Sequence, residues 1–144
     1  MQQEHRSLKE MKGYSAEELE TLSHIAYCMM MQGKYDKAQT VYESLLAIDP
    51  ADEYYYRALG VLAQKQGDSE LALRHFGYSI QLAPKQPQGY INRAEIHIAL
   101  NRIQDALNDL KEALAQMRRQ DQMLSQKAWA LYKHLQTAQN FETV

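Results

Sequence analysis

Apolar and polar positions along this chain follow a helical rhythm, and the rhythm itself returns at a fixed interval. The stretch GKYDKAQTVYESLLAIDP, Gly33 to Pro50, sets a Gly, an Ala, an aromatic residue and a closing Asp-Pro at fixed offsets. A shift of 34 residues carries Gly33 to Gly67, Ala38 to Ala72, Tyr42 to Phe76 and Pro50 to Pro84. A second shift reaches Asn101, Ala106, Leu110 and Arg118, so small and bulky positions persist while loop positions degrade. Three copies can be laid down, over 19–52, 53–86 and 87–120. Their small sites are Ala26, Gly60 and Ala94 at position 8, and Ala38, Ala72 and Ala106 at position 20. Small residues there let two helices cross at short distance. Bulk at Ile25 and Leu59 in position 7, and at Tyr42, Phe76 and Leu110 in position 24, fills the space beside them. Arg93 breaks the position 7 pattern; a stem packed on the core with its head in water accommodates it most simply.

The breaks between helices are equally legible. Gly33, Gly67 and Asn101 follow the first helix of each copy, where a left-handed residue ends a helix. Pro50 and Pro84 stop the second helices. Ser15 and Glu18 have capping-box spacing, which starts the first helix near Ala16, and Gly13 parts it from what precedes. After the third copy, Met123, Leu124, Ala128, Leu131 and Leu135 form a one-sided apolar stripe. It is expected to be a terminal helix covering the last repeat face, with Trp129 a packing or rim residue.

A period of this length with these small sites is the signature of tetratricopeptide repeats. The expected fold is therefore all-α, a right-handed superhelical array of three tetratricopeptide repeats with a C-terminal capping helix. The expected organisation is an N-terminal arm over 1–14, a single repeat domain over 15–139 with its capping helix at about 121–139, and a tail over 140–144.

Composition narrows what such an array can do. A chain of 144 residues can bury about two thirds of its unfolded surface, enough to fold without a partner. The formal charge of −2 and pI near 6.2 argue against nucleic-acid binding. No window has the apolar length of a membrane span or signal peptide, so cytoplasmic residence without membrane insertion is expected. The lone Cys28 lies in a helical run and reads as a reduced, buried thiol. Neither cofactor nor metal is expected: His5, His24, His75, His97 and His134 stand singly, and the glycines form no phosphate loop. No catalytic residue is expected either, because Glu17, Glu18 and Glu20 suit the electrostatics of a helix N-terminus.

Function then falls to the concave wall that stacked first helices form, which positions 2, 5, 9, 12 and 13 face. These are Glu20, Ser23, Tyr27, Met30 and Met31, then Tyr54, Arg57, Val61, Gln64 and Lys65, then Gln88, Ile91, Glu95, Ile98 and Ala99. The apolar run of Tyr27, Met30, Val61, Ile91 and Ile98, flanked by Arg57, Lys65, Asn92 and Glu95, suits an extended peptide. Tyr27, Met30, Tyr54, Arg57, Val61, Lys65, Ile91, Asn92, Glu95 and Ile98 are the candidate groove residues. A Lys and Asn clamp for chaperone C-termini is not assembled, since its positions read Ser23, Tyr27, Arg57 and Val61.

Over about residues 15–117 the chain resembles the class II chaperones of bacterial type III secretion, which escort translocator proteins. The resemblance is carried by LSHIAYCMMMQGKYDKAQTVYESLLAIDP, by Tyr55 and Tyr56 ahead of Ala58, Leu59 and Gly60, and by HFGYSIQLAPKQPQGYINRAEIHIAL with Pro87, Ala94 and Glu95. Ser23 departs from the family, which often has an aromatic residue there, and the N-terminal arm is short. The resemblance implies a bacterial, cytoplasmic, non-catalytic chaperone that keeps a hydrophobic translocator soluble by holding an extended segment, with weak homodimerisation. A chaperone of the secretion needle subunit and a general scaffold for multiprotein assembly are the alternative readings.

Overall fold

The structure, a computed structural model, describes residues 13–142. Most of the arm expected over 1–14 and the end of the tail thus lie outside the described residues. Among the described residues seven α-helices run in order: α1 Ala16–Met31, α2 Tyr35–Ile48, α3 Glu53–Lys65, α4 Ser69–Leu82, α5 Pro87–Ala99, α6 Ile103–Ala115 and α7 Gln122–Glu142. A 3₁₀ turn, Arg119–Asp121, leads into α7. No strand occurs among the described residues. The helices form hairpins α1/α2, α3/α4 and α5/α6, each stacked on the next, with α7 closing the array against α6. It is a right-handed superhelical array of tetratricopeptide type.

Local chemistry explains each boundary. At the start of α1 the Glu18 N–H donates to Ser15 Oγ at 3.1 Å, and the Ser15 N–H donates to Glu18 Oε2 at 2.7 Å. Asp52 and Asp68 cap α3 and α4, accepting from the Tyr54 and Leu71 N–H groups at 2.9 and 3.0 Å. Pro87 occupies the first turn of α5, where its missing N–H costs nothing. Gly33, Gly67 and Asn101 have φ of 76°, 82° and 56° and end α1, α3 and α5 in the left-handed conformation foreseen for them. In each case the residue after donates back to the third-last helical carbonyl: Lys34 to Met29, Asp68 to Ala63 and Arg102 to His97, at 2.8–2.9 Å. The same turn is therefore built three times.

The small sites do what close helix crossing requires. Ala26, Ala38, Ala72, Ala94 and Ala106 are completely buried, as are the bulky Tyr42, Phe76 and Leu110. At Gly60 even a methyl group is excluded, because an ideal Cβ there would sit 2.5 Å from Phe76 Cε1. Three apolar clusters follow one another along the array. Residues of α1–α3 form the first, around Tyr42, Leu45 and Leu62. Phe76 and Ile96, with Ala63 and Ala72, form a second, and Ile91, Leu110, Ala128 and Leu135 anchor the third, beneath α7.

Three expectations need correction. Ile25 is 43% exposed rather than packed, whereas its counterpart Leu59 is buried against the preceding hairpin. Among the described residues no hairpin precedes α1, so none of them packs on that face as α1 and α2 pack on Leu59. Met123 is 86% exposed, since it lies in the first turn of α7, ahead of the contact that begins at Leu124. The Arg93 head is not left to water alone. Its Nε and Nη2 donate to Asp109 Oδ2 and Oδ1 at 2.8 and 2.7 Å, a two-pronged bond to a carboxylate that is itself buried. Asp109 also lies 3.7 Å from His97 Nε2.

Burial lowers the pKa of both His75 and His97, in His97 against the opposing pull of Asp109. In each the Nδ1 is buried and has no hydrogen-bond partner among the described residues. A folded-state pKa depressed below the ordinary 6.5 means the unfolded chain binds protons first on acidification. Stability is expected to be fully present above that value and to fall as pH drops towards the depressed folded values. Urea midpoints at pH 7.5 and 5.5 check this. The lower midpoint should be at pH 5.5, and the difference should shrink in a His75→Gln, His97→Gln double variant.

Candidate peptide-binding groove

The first helix of each hairpin contributes to one wall, and a depression on it lies between α1 and α3. It has a volume of about 530 Å³ and is lined by Glu17, Glu20, Thr21, Ser23, His24, Tyr27 and Tyr54. Residues 17, 20, 24 and 27 share one face of α1 because three- and four-residue steps return to the same side of a helix. Tyr27 stands 42% exposed at this cleft. Tyr54 forms its far side and is half-buried, edge-on to the core ring of Tyr42 at 6.2 Å. The Tyr42 hydroxyl donates to the Ser23 carbonyl at 3.3 Å, tying the cleft floor to the core, and burial raises its pKa. The rim is acidic, with Glu17 and Glu20 on the same helix face as Tyr27.

Beyond the cleft the wall becomes polar and braced. Arg57 lies over the Tyr54 ring at 5.1 Å and is held by Glu53 at 3.3–3.4 Å; Glu53 in turn accepts from Ser79 Oγ at 2.8 Å. This chain orients the guanidinium towards the tyrosine. Lys65 is exposed at the end of α3. On α5, Gln88 donates to Asn92 Oδ1 at 2.7 Å, and Glu95 pairs with Lys127 of α7 at 2.5 Å.

The candidate groove residues thus divide into two groups. Tyr27, Tyr54, Arg57, Lys65 and Glu95 reach the surface, and Tyr27 and Tyr54 share the cleft. Met30 and Ile91 do not: they are 6% and 0% exposed and belong to the first and third cores, and Asn92 is 8% exposed. Val61 and Ile98 are half-buried, Val61 wedged between the first two cores and Ile98 against the third. At the end of α1 it is Met31, 63% exposed, that faces out in place of Met30. The apolar strip expected to run unbroken across three repeats is therefore broken at Met30 and at Ile91. Tyr55 and Tyr56 also separate: Tyr55 is buried, its pKa pushed up to about 12 by burial and by Asp52, while Tyr56 packs on Tyr78 at 5.3 Å. Glu17 and His24 of the cleft escaped the sequence reading. Their spacing with Glu20 and Tyr27 carried the signal, but the acidic residues were absorbed by the helix-terminus explanation.

Among the described residues no group of three or more His, Cys, Asp and Glu could hold a metal, and no helix is long and apolar enough to cross a membrane. Cys28 is half-buried, with its Sγ 3.7 Å from His24 Nε2.

Known proteins place this architecture. A tetratricopeptide-repeat family model matches residues 30–67, the end of α1 through α3. The type III secretion translocator chaperone SycD of Yersinia enterocolitica superimposes with a TM-score of 0.85 at 22% identity, covering 90% of this chain and 98% of that one. PcrH, in complex with the chaperone binding region of PopD, does so with a TM-score of 0.81 at 26% identity, covering 88% and 97%. PcrH is from Pseudomonas aeruginosa. The low calcium response locus protein H of Yersinia pestis is 27% identical over 96 residues, which is 67% of this chain and 57% of that protein. Over residues 30–67 the chain thus matches the tetratricopeptide repeat, and its fold is that of these repeat proteins. More particularly, it resembles the type III secretion translocator chaperones.

Proposed function

We propose that this chain is a non-catalytic, cytoplasmic chaperone of a type III secretion system, holding an extended segment of a hydrophobic translocator on its concave wall. The observation that carries this reading is the open cleft at Tyr27 and Tyr54, on a fold shared with PcrH bound to the chaperone binding regions of PopD and PopB. Two aromatic faces beside an acidic rim suit an apolar side chain of the segment flanked by a basic one. Arg57, Lys65 and Glu95 offer polar partners for the rest of its backbone. Groove binding needs to offset the ordering cost of a disordered segment only modestly, which keeps release feasible. Such a chaperone needs no nucleotide or metal.

Tyr27→Ala tests the assignment cleanly, because the ring is exposed and its loss leaves the helices packed. Val61→Asp is less suitable, since Val61 packs on two cores. Binding of the co-expressed secreted partner is expected to weaken about tenfold in Tyr27→Ala, about 1.4 kcal/mol, with an unchanged circular dichroism spectrum. Unchanged affinity in an isothermal titration would remove the groove assignment. A gain of helical signal on complex formation would instead favour a bound helix, as a needle subunit would supply.

A further inference from the structure

The 34-residue interval does not stop at the third repeat. Ala26, Gly60 and Ala94 are followed at the same step by Ala128 on α7, and all four are buried at a helix crossing. The residues immediately after them, Tyr27, Val61, Glu95 and Trp129, therefore hold one register along the array, which makes α7 a fourth first helix of a repeat. Its positions 12 and 13 are Tyr132 and Lys133. The side chains agree with this register. Trp129 is 49% exposed and stacks on Tyr132 with ring centres 5.8 Å apart and planes 13° from parallel. Lys133 Nζ stands 5.3 Å from the Trp129 ring. The ion pair of Lys127 with Glu95 holds this part of α7 beside the concave residue of α5.

We propose that Trp129, Tyr132 and Lys133 form a second anchor site of the groove, occupied by the far flank of the same extended polypeptide segment that enters the cleft at Tyr27. The inference rests on the groove reading above. The occupant's chemistry follows from the two ends. A stacked indole and phenol take a flat apolar side chain, aromatic or proline, and Lys133 beside them favours an acidic neighbour. The opposite end, with Glu17 and Glu20, favours a basic one. The wall is thus polar along its length and accepts the segment in one direction. Packed helices stand about 9 Å apart, so three steps from Tyr27 to Trp129 span at least about 27 Å, or at least about eight extended residues at about 3.3 Å each. A segment of that length bridges both anchors.

Trp129 is the single tryptophan of the chain, so its emission reports the site with no substitution at all. Twelve-residue peptides selected by phage display on the immobilised full chain serve as probes, titrated against wild type, Tyr27→Ala and Trp129→Ala. The expected result is a shift in Trp129 emission at saturation and a loss of affinity in both variants, about five- to tenfold for Trp129→Ala. If Tyr27→Ala weakens binding while Trp129→Ala stays within twofold and the emission does not move, the second anchor is overturned and the groove reading stands. If neither variant weakens binding, both fall together.

Discussion

Asp109→Ala is expected to be among the most destabilising single changes in the chain, at about 3 kcal/mol. Asp109 is 5% exposed and receives both prongs of Arg93, whose side chain is 29% exposed. Removing the carboxylate leaves a guanidinium in a poorly hydrated site with its strongest partner gone. The cost lies near the low end for broken buried pairs because the Arg93 head keeps some contact with water. Asp109→Asn retains an acceptor and should lose less, about half as much. Replacing both partners, as in Arg93→Met with Asp109→Leu, should recover most of the loss, since an apolar pair of similar volume leaves no orphaned charge. Urea unfolding followed by circular dichroism compares the three variants with wild type. A loss below about 0.5 kcal/mol for Asp109→Ala, the ordinary range for exposed sites, would show that the pair carries no weight.

Gly60→Ala is expected to cost about 2 kcal/mol, although alanine is the better helix former by about 1 kcal/mol. The new methyl carbon would lie 2.5, 2.6 and 2.9 Å from three carbons of the Phe76 ring. That ring is completely buried among Ala63, Ala72 and Ile96, so it cannot swing aside without moving the crossing of α3 on α4. Gly77 provides the contrast within the same hairpin. A Cβ there meets nothing within 4 Å, so Gly77→Ala should gain up to about 1 kcal/mol from helix propensity alone. In a Phe76→Leu background Gly60→Ala should cost less than in wild type, because the narrower side chain leaves room for the methyl. Thermal melts of the five proteins decide it. Equal costs of Gly60→Ala in both backgrounds would mean that contact with Phe76 is not the cause.

The repeat architecture was legible because the constraints that make it are steric and local. Ala38, Ala72 and Ala106 mark crossings where nothing larger fits, and Gly33, Gly67 and Asn101 mark left-handed turns that few residues adopt. Both leave their imprint at single positions of the sequence. The groove was less legible because its edge is a matter of a few degrees of helix rotation. Met30 and Met31 are equally apolar neighbours, and which of them points into the core depends on how α1 sits against α2 and α3. Ile91 has the character of a groove anchor yet is enclosed in the third core, a consequence of packing that no periodicity within α5 reveals. The pairing of Arg93 with Asp109 did leave a trace. Both are charged at positions that are apolar in the first repeat, Ile25 and Val41, and two coupled departures are more informative than one. The continuation of the register to Ala128 and Trp129 was likewise present in the spacing, hidden by the loss of loop signals between Arg118 and Gln122.

The most direct test of a segment-binding concave wall is a photo-crosslink placed at Tyr27. A benzophenone amino acid at position 27, and separately at the exposed Thr40 of α2, is irradiated in the host cell and the crosslinked peptides are sequenced. Position 27 should capture one secreted protein with membrane-inserting segments, within a single short extended stretch, while position 40 captures none of it. Crosslinks from Thr40 but not from position 27, or from position 27 to scattered sites on a folded partner, would contradict a groove that holds an extended segment.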